Sequence, residues 1–209
     1  MPGHPLIETL RAARVVPVVR TRTAHHAATV VSWLRDAGLT IFEITMTIPD
    51  APALIRDLAS DPSLLVGAGT VPDAATADRC LTAGARFLVA PWIDAALARP
   101  CHDAGAALML GAVTPTEVRS ALAAGADVVK IFPAASVGGP AHIKALASVL
   151  PDVAFCPTGG VDPGNVAAYL TAGAAFVGMG GALVDEARIA SGDKAAIQAV
   201  ARQIQALPE

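Results

Sequence analysis

A lysine inside an apolar run is the residue of this sequence that most strongly suggests chemistry. In Asp127-Val128-Val129-Lys130-Ile131-Phe132-Pro133, strand alternation places Lys130 on one face with Val128 and Phe132. Burial disfavours the charged form of an amine and frees its lone pair for attack on a carbonyl carbon. Two structural alternatives stay open, because such a lysine can also extend its tip to water or pair with a carboxylate. Lys130 is therefore a candidate nucleophile.

A carboxylate lies in a second apolar run. In Ile41-Phe42-Glu43-Ile44-Thr45, Glu43 shares its face with Ile41 and Thr45. A carboxylic acid next to an amine could move the protons needed for carbinolamine formation, imine formation and carbon–carbon cleavage. The alternative is a structural ion pair, which is weak evidence for stability because both charges lose their hydration. Since perturbed charged groups gather at active sites, we favour the catalytic interpretation.

The elements that must position these residues follow a repeat. An Ala-Gly pair recurs just before apolar runs, as expected where a helix ends and a strand follows. Successive glycines are separated by about 20 residues or about twice that distance, which predicts a unit of one helix plus one parallel strand. These glycines are Gly38, Gly84, Gly105, Gly125 and Gly173.

Eight apolar runs predict eight strands, which implies a closed (β/α)8 barrel, the TIM-barrel fold. We expect one domain over residues 1–209, with an extra helix before the first strand. Two helix starts are predicted from a capping residue followed by proline, at Thr114-Pro115 and at Asp162-Pro163. The predicted strands are residues 15–19, 41–45, 64–68, 87–90, 107–110, 128–132, 153–157 and 175–178.

In such a barrel, residues at the carboxyl ends of the strands converge on the side where barrel enzymes place their chemistry. Two glycine pairs follow the last two strands, Gly159-Gly160 and Gly180-Gly181, and their N–H groups could bind a phosphate. The alternative for these glycines is a pair of tight turns. The polar residues expected to converge are Arg20, Glu43, Thr70, Lys130 and Thr158.

Composition and the remaining motifs argue against other classes of function. A net charge of -3 without a basic cluster offers no support for a nucleic-acid or membrane partner. No apolar run reaches membrane-spanning length and no leader is evident, so we expect a cytoplasmic protein. The five histidines fall on predicted helices or their flanks, which argues against a metal site. Three widely spaced cysteines are expected to be reduced core residues.

The motifs together resemble the KDPG/KHG aldolase family, class I lyases that cleave 2-keto-3-deoxy-6-phosphogluconate (KDPG) or 4-hydroxy-2-oxoglutarate (KHG). The resemblance spans nearly the whole chain and is specific for the family rather than for one substrate. The matching segments are Val18-Val19-Arg20, Glu43 to Asp50, Gly67-Ala68-Gly69-Thr70-Val71, Thr114-Pro115-Thr116-Glu117, Lys130-Ile131-Phe132-Pro133 and Pro157-Thr158-Gly159-Gly160.

The resemblance implies a role for each matching position. Lys130 is similar to the family's Schiff-base lysine and Glu43 to its general acid/base, while Arg20 and Thr70 match the residues that bind the pyruvyl carboxylate. The family needs no cofactor or metal, and its usual assembly is a homotrimer. The implied substrate pocket comprises Phe132, Thr158 and Pro91, and the implied phosphate-binding residues are Gly159, Gly160, Gly180 and Gly181.

Several positions depart from the common family pattern. Thr47 stands where many members carry a substrate-binding arginine, as in a branch that uses an arginine like Arg20 instead. Gly181 replaces a common serine, and Ala135 replaces a frequent glutamate or glycine. Trp92 follows Pro91 where the family has a smaller or polar residue. These departures leave the preferred aldehyde open.

The sequence therefore predicts an aldolase whose Lys130 forms an imine with a small keto-acid substrate and releases pyruvate. The second product would be glyceraldehyde 3-phosphate from KDPG or glyoxylate from KHG. One alternative is an aldolase for the 6-phosphogalactonate epimer. Another is a non-catalytic barrel that binds a keto acid or serves as an oligomeric scaffold.

Overall fold

Eight parallel strands form the centre of the molecule, and the computed structural model describes residues 4–207. The strands are β1 (Val15–Val19), β2 (Ile41–Thr45), β3 (Leu65–Gly69), β4 (Phe87–Ala90), β5 (Ala107–Ala112), β6 (Val128–Ile131), β7 (Phe155–Pro157) and β8 (Val177–Met179). Neighbouring strands pair in chain order, and β8 pairs with β1. Two isolated bridges connect β7 with β8. Phe155, the first residue of β7, pairs with Ala174 before β8, and Thr158, just after β7, pairs with Gly178 in β8. The sheet is therefore a nearly closed barrel, and the predicted fold is confirmed.

Helices surround the strands. They are α1 (Leu6–Ala13), α2 (Ala24–Asp36), α3 (Ala51–Ala59), α4 (Ala74–Thr82), α5 (Ala98–Asp103), α6 (Pro115–Ala123), α7 (Gly139–Val149), α8 (Val166–Thr171), α9 (Glu186–Ser191) and α10 (Lys194–Gln205). Short 3-10 turns at Ala95–Leu97 and Ala135–Val137 precede α5 and α7. Helix α1 is the extra N-terminal helix that the sequence predicts.

Several boundaries predicted for strands and helices agree with the structure. Strands β1, β2 and β4 have the predicted bounds, and the five glycines expected at helix ends all have positive φ, from +65° to +104°. Thr114 and Glu117 form the expected capping box of α6. Strand β7 begins at residue 155 rather than 153, and β8 covers 177–179 rather than 175–178.

The helix start predicted at Asp162-Pro163 is wrong, because α8 begins only at Val166. The Asp162 carboxylate accepts a hydrogen bond from the N–H of Gly164 at 2.8 Å. The Asp162 carbonyl accepts one from the N–H of Asn165 at 3.1 Å. These bonds form a turn, so the aspartate organises the loop before the helix instead of capping its first residue.

The core has two layers that follow from strand alternation. One face of each strand packs outward against the helices, and the other fills the barrel interior. The interior is closed at its amino-terminal end by Ile7 and Leu10 of α1, which pack with Val16, Phe87 and other strand residues. Helix α1 therefore acts as the apolar floor of the barrel.

Three free cysteines, Cys80, Cys101 and Cys156, are buried, as expected from the sequence. Burial raises the pKa of the Cys80 thiol to about 11 and the pKa values of Cys101 and Cys156 to about 12. The thiolate is the reactive form of cysteine, so these thiols stay protonated and unreactive at neutral pH.

Within residues 4–207, no helix is long and apolar enough to cross a bilayer. The same part of the chain contains no group of three or more His, Cys, Asp or Glu residues placed to hold a metal ion. His25 and His26 lie in α2, His102 in α5 and His142 in α7, while His4 precedes α1.

Truncating the floor of the barrel should destabilise the protein. Leu10 is fully buried, so Leu10→Ala removes apolar contacts and leaves a cavity. We expect the free energy of unfolding to fall by about 2–5 kcal/mol, measured by urea denaturation. Val149→Ala, at a position that is 65% exposed, is the control and should change stability by less than about 0.5 kcal/mol. Equal stability of the Leu10 variant and wild type would show that α1 does not close the barrel.

Candidate active site

A cavity of about 490 Å³ opens at the carboxyl ends of the strands. It brings together ten of the eleven site residues predicted from the sequence, and the eleventh, Glu43, contacts Lys130 directly. The ten are Arg20, Thr70, Pro91, Lys130, Phe132, Thr158, Gly159, Gly160, Gly180 and Gly181. A larger cavity of about 730 Å³ lies at the opposite end, beside α1 and α10, and contains none of them. The residues predicted to carry out the chemistry therefore lie at the smaller cavity.

Lys130 and Glu43 meet inside the barrel. Their side chains extend from β6 and β2 into its interior, with the Lys130 Nζ to Glu43 Oε1 distance 3.5 Å. Only 5% of Lys130 and 4% of Glu43 is exposed, so the amine does not escape to bulk water. Charge-assisted hydrogen bonds between such groups are typically about 2.7–2.9 Å long. The longer separation leaves the amine accessible to a carbonyl carbon in the cavity.

A glycine makes room for the carboxylate. Gly69 lies at the end of β3, beside Glu43, and a Cβ atom added there would collide with Oε1 of Glu43. Because the collision involves the carboxyl group itself, any side chain at position 69 would displace it. The glycine therefore helps to set the position of Glu43 relative to Lys130.

Arg20 and Thr70 form the cationic side of the cavity. The Arg20 guanidinium donates a hydrogen bond to Oγ1 of Thr70 at 3.2 Å. Thr70 has a φ of +56°, a left-handed conformation that costs a non-glycine residue on the order of 1 kcal/mol. Thr45 Oγ1 donates to the Val19 carbonyl at 3.1 Å, which anchors the peptide that leads into Arg20. The geometry suits a guanidinium and a hydroxyl that receive a carboxylate together.

Thr47 does not line the cavity, and its hydroxyl lies 2.8 Å from that of Thr45. At this position, where many family members carry an arginine, Thr47 contacts Thr45, whose hydroxyl holds the Val19 carbonyl before Arg20. That Arg20 supplies the cation in this chain stays a prediction.

An aromatic ring and a proline border the amine. The ring centroid of Phe132 lies 5.8 Å from Lys130 Nζ, and Phe132 is 36% exposed at the mouth. Pro91 lies in the neighbouring loop, which packs against Gly111 so closely that a Cβ at position 111 would collide with the Pro91 backbone. These apolar groups limit the access of water to the amine.

Thr158 lies between the amine and the glycine loops. Its side chain is buried next to Gly178, where an added Cβ would collide with Thr158 Oγ1. The Cys156 thiol is 3.8 Å from the same hydroxyl oxygen. Thr158 is thus held in place from two strands.

The first glycine loop turns an N–H group toward the cavity. The Gly159 carbonyl accepts a hydrogen bond from the N–H of Ala135 at 3.0 Å. In a trans peptide the C=O and the following N–H point in opposite directions, so the Gly160 N–H points away from Ala135. Gly160 lines the cavity, and its φ of +74° favours glycine.

The second loop is built in the same manner. The Gly180 carbonyl accepts hydrogen bonds from the N–H groups of Leu183 and Val184, both at 2.8 Å. The Gly181 N–H must then point the opposite way. Within the described residues no protein acceptor faces the N–H groups of Gly160 and Gly181. Two such groups on one cavity can bind an anion.

Sequence reasoning missed some residues of the cavity wall: Val18, Val161, Asp162, Ala182 and Val184. Val18 shares the inward face of β1, so strand alternation could have identified it. The other four follow the glycine pairs in loops, where no periodicity reports the direction of a residue.

Comparisons with known proteins show the family of this chain. Residues 6–200 match the family model for KDPG and KHG aldolases. The chain belongs to this family. It is therefore an aldolase, a carbon–carbon lyase.

Three relatives illustrate the match. The 2-dehydro-3-deoxy-phosphogluconate aldolase of Pseudomonas aeruginosa is 35% identical over 199 residues, which cover 94% of this chain and 90% of the relative. A probable 2-dehydro-3-deoxy-6-phosphogalactonate aldolase of Rhizobium meliloti is 36% identical over 172 residues, 81% of each chain. A crystal structure of KDPG aldolase from Legionella pneumophila, with pyruvate captured as a covalent carbinolamine, has a TM-score of 0.86 at 30% identity. This match covers 95% of the present chain and 97% of the Legionella chain.

Adding a methyl group beside Glu43 should impair the aldolase reaction without unfolding the protein. Gly69→Ala forces the carboxylate out of its position, and misplacement of a catalytic group by about 1 Å can cost about 100-fold in rate. We expect a loss of that order in kcat, measured in a coupled assay for pyruvate.

Gly192→Ala is the matched control, because a Cβ at Gly192 meets no atom within 4 Å although its φ is +73°. It should lose some stability and keep its kcat. If Gly69→Ala kept the wild-type kcat, the position of Glu43 would not matter for turnover.

Proposed function

We propose that this protein is a class I aldolase that cleaves KDPG to pyruvate and glyceraldehyde 3-phosphate, and KHG to pyruvate and glyoxylate by the same steps. The observation that carries the proposal is the buried Lys130 amine, 3.5 Å from Glu43 and next to a cavity that is also lined by Arg20, Thr70 and the two glycine loops. One end would hold the carboxylate of the keto acid, and the other the phosphate.

Lys130 would act as the nucleophile. Its amine attacks the C2 ketone to give a carbinolamine, and loss of water leaves an iminium that bonds Nζ to C2. When the C3–C4 bond breaks, its electron pair moves into the iminium and forms an enamine of pyruvate, while C4 leaves as the aldehyde. Protonation at C3 and hydrolysis then release pyruvate and restore the amine. The covalent carbinolamine of pyruvate in the Legionella relative supports this route.

Glu43 would move the protons. It lies beside Nζ and can transfer a proton to the departing carbinolamine oxygen, accept the proton of the C4 hydroxyl during cleavage, and deliver one to C3. Its burial keeps bulk water away from these transfers. Gly69 would contribute by keeping this carboxylate within reach.

Arg20 and Thr70 would bind the carboxylate of the keto acid. A guanidinium and a hydroxyl that already contact each other offer converging donors at the cavity wall, which orients C2 toward the amine. Phe132 and Pro91 would pack against the carbon chain, and Thr158 would contact its hydroxyl groups. These roles follow from position and from the family resemblance.

The glycine loops would bind the phosphate. The N–H groups of Gly160 and Gly181 have no acceptor within the described part of the chain, and Gly159 and Gly180 complete the two loops. Gly181 presents only its backbone, so peptide N–H groups would replace the hydroxyl of the serine common at this position. This end of the cavity favours a phosphorylated aldehyde over glyoxylate.

The second candidate substrate is the C4 epimer, 2-dehydro-3-deoxy-6-phosphogalactonate. The Rhizobium meliloti relative supports it, and the same imine chemistry applies to both epimers. A non-catalytic scaffold is disfavoured, because such a protein would not need a buried amine next to a buried carboxylate. From the family resemblance we also propose a homotrimer, to be tested by light scattering. The cytoplasmic location stays a prediction from the sequence.

Trapping of the imine tests the proposed nucleophile. Incubation with pyruvate and borohydride should reduce the imine to a stable adduct, detected by intact mass and located on Lys130 by peptide mapping. Lys130→Met should give no adduct, whereas Lys144→Ala, which alters a lysine of α7, should react like wild type. An adduct elsewhere, or none on folded protein, would contradict the mechanism.

Substrate preference tests the phosphate end. We expect kcat/KM for KDPG to exceed that for KHG by at least about tenfold. The phosphate of KDPG, on C6, would accept charge-assisted hydrogen bonds from the glycine loops, whereas the second carboxylate of KHG is attached directly to C4 and lies closer to the imine. The galactonate epimer should be assayed in parallel. A higher kcat/KM for the epimer would reassign the substrate, and a higher value for KHG would show that the glycine loops are turns without a phosphate site.

A further inference from the structure

We propose that Asn165 is a positioning residue for the anion-binding loop, and that it controls the preference for phosphorylated substrates without touching the substrate. This proposal rests on the function proposed above. Asn165 is not part of the cavity wall; it lies after the loop that contains Gly159, Gly160 and Val161, immediately before α8.

The side-chain amide of Asn165 bridges two peptides of this loop. Its Nδ2 donates a hydrogen bond to the Gly160 carbonyl at 2.9 Å, and its Oδ1 accepts one from the Asp162 N–H at 3.0 Å. The amide orientation is determined by the partners, because a carbonyl can only accept and an N–H can only donate. Only asparagine supplies a donor and an acceptor at this reach.

The bond to Gly160 determines where the next N–H group points. The Gly160 carbonyl and the Val161 N–H belong to one planar peptide and lie on opposite sides of it. With the carbonyl held by Asn165, the N–H of Val161 points away from Asn165, and Val161 lines the cavity. Within the described residues this N–H has no protein acceptor. It is therefore a third donor beside those of Gly160 and Gly181.

Asn165 differs from the anchors of the other two donors. The peptides before Gly160 and Gly181 are held by backbone N–H groups, those of Ala135, Leu183 and Val184, which no substitution except proline removes. The peptide before Val161 is held by a side chain. The Asn165 side chain also accepts a hydrogen bond from the Asp162 N–H. Val161 is therefore the last residue of this loop whose N–H lacks a protein acceptor among the described residues. Asn165 thus sets both the direction of one donor and the extent of the anion-binding loop.

Two variants at this position isolate the effect. Asn165→Asp keeps an acceptor for the Asp162 N–H but loses the donor to Gly160, and Asn165→Ala loses both bonds without adding a charge. The matched control is Gln198→Glu, because Gln198 Nε2 donates to the Trp33 carbonyl at 3.0 Å in an equivalent amide-to-backbone bond between α10 and α2. Thermal unfolding of all three variants reports whether each is folded.

Three readouts separate positioning from a general structural role. The first is kcat/KM for KDPG and for its dephosphorylated analogue, 2-keto-3-deoxygluconate. The second is the inhibition constant of inorganic phosphate. The third is the exchange of the pyruvate C3 protons with deuterated water, which depends on the Lys130 imine and not on the aldehyde end.

For both Asn165 variants we expect kcat/KM for KDPG to fall about tenfold and the phosphate inhibition constant to rise by a similar factor, through the loss of one oriented donor to a charged group. The rate for the dephosphorylated analogue and the proton exchange should stay within about twofold of wild type. Gln198→Glu should match wild type in all three readouts.

Equal losses on both substrates would overturn the proposal, because they would indicate general damage to the site. The proposal would also be overturned if kcat/KM for KDPG fell in Asn165→Asp but not in Asn165→Ala, since the added negative charge would then be the cause. If wild type itself did not prefer KDPG over the analogue and was not inhibited by phosphate, the proposed phosphate site would fail and Asn165 would have nothing to position. If wild type preferred KDPG over the analogue and both Asn165 variants kept this preference, the role of Asn165 would be refuted while the proposed phosphate site would stand.

Discussion

The structure depends on keeping an amine and a carboxylate together in an interior that is otherwise apolar. Lys130 and Glu43 are each about 95% buried, and an isolated charge at that depth would be costly. Each group therefore needs the other, and the barrel provides this by placing β6 and β2 on opposite sides of one narrow interior. A buried pair of this kind contributes little to stability, so its presence is better explained by chemistry than by folding.

The two ends of the barrel interior are built differently because of this pair. At the amino-terminal end the interior is filled by large apolar side chains, and Ile7 and Leu10 of α1 close it. At the carboxyl end, glycines replace them: Gly69 leaves space for the Glu43 carboxylate, and Gly178 leaves space for Thr158. The packed end supplies stability, and the open end supplies a cavity in which polar groups can meet a substrate.

Beyond the reacting pair, the site relies on anchored peptides more than on charged side chains. The carbonyls of Gly159, Gly160 and Gly180 are all held by hydrogen bonds, from backbone N–H groups or from Asn165. Each anchor orients an N–H group on the opposite side of the same peptide. Among the residues that line the cavity, the cations are Lys130 and Arg20. A phosphate would therefore be bound mainly by the backbone N–H groups of the glycine loops. In a site of this kind the loop conformation determines where the N–H groups point. One side chain that anchors the loop can therefore change how an anion binds.

The sequence by itself determined the fold class and which polar residues meet at one cavity. Alternation placed Lys130 and Glu43 on inward faces, because a strand has only two faces and successive residues alternate between them. Glycines at helix ends were predictable because a left-handed residue at that place favours glycine over all others. The family motifs then supplied the roles of Arg20, Thr70 and the glycine loops as expectations.

Only the tertiary structure decided the rest. The later starts of β7 and β8 and the place of Val161 and Asp162 in the cavity wall are seen only in the structure. The turn before α8 is set by hydrogen bonds that Asp162 accepts from Gly164 and Asn165, which the Asp-Pro pattern does not report. The structure alone also shows that Gly69 leaves space for the Glu43 carboxylate and that the Asn165 side chain donates a hydrogen bond to the Gly160 carbonyl. Periodicity reports which face of an element a residue occupies, but it carries no information about how the backbone of a loop turns or which atoms from other strands approach it.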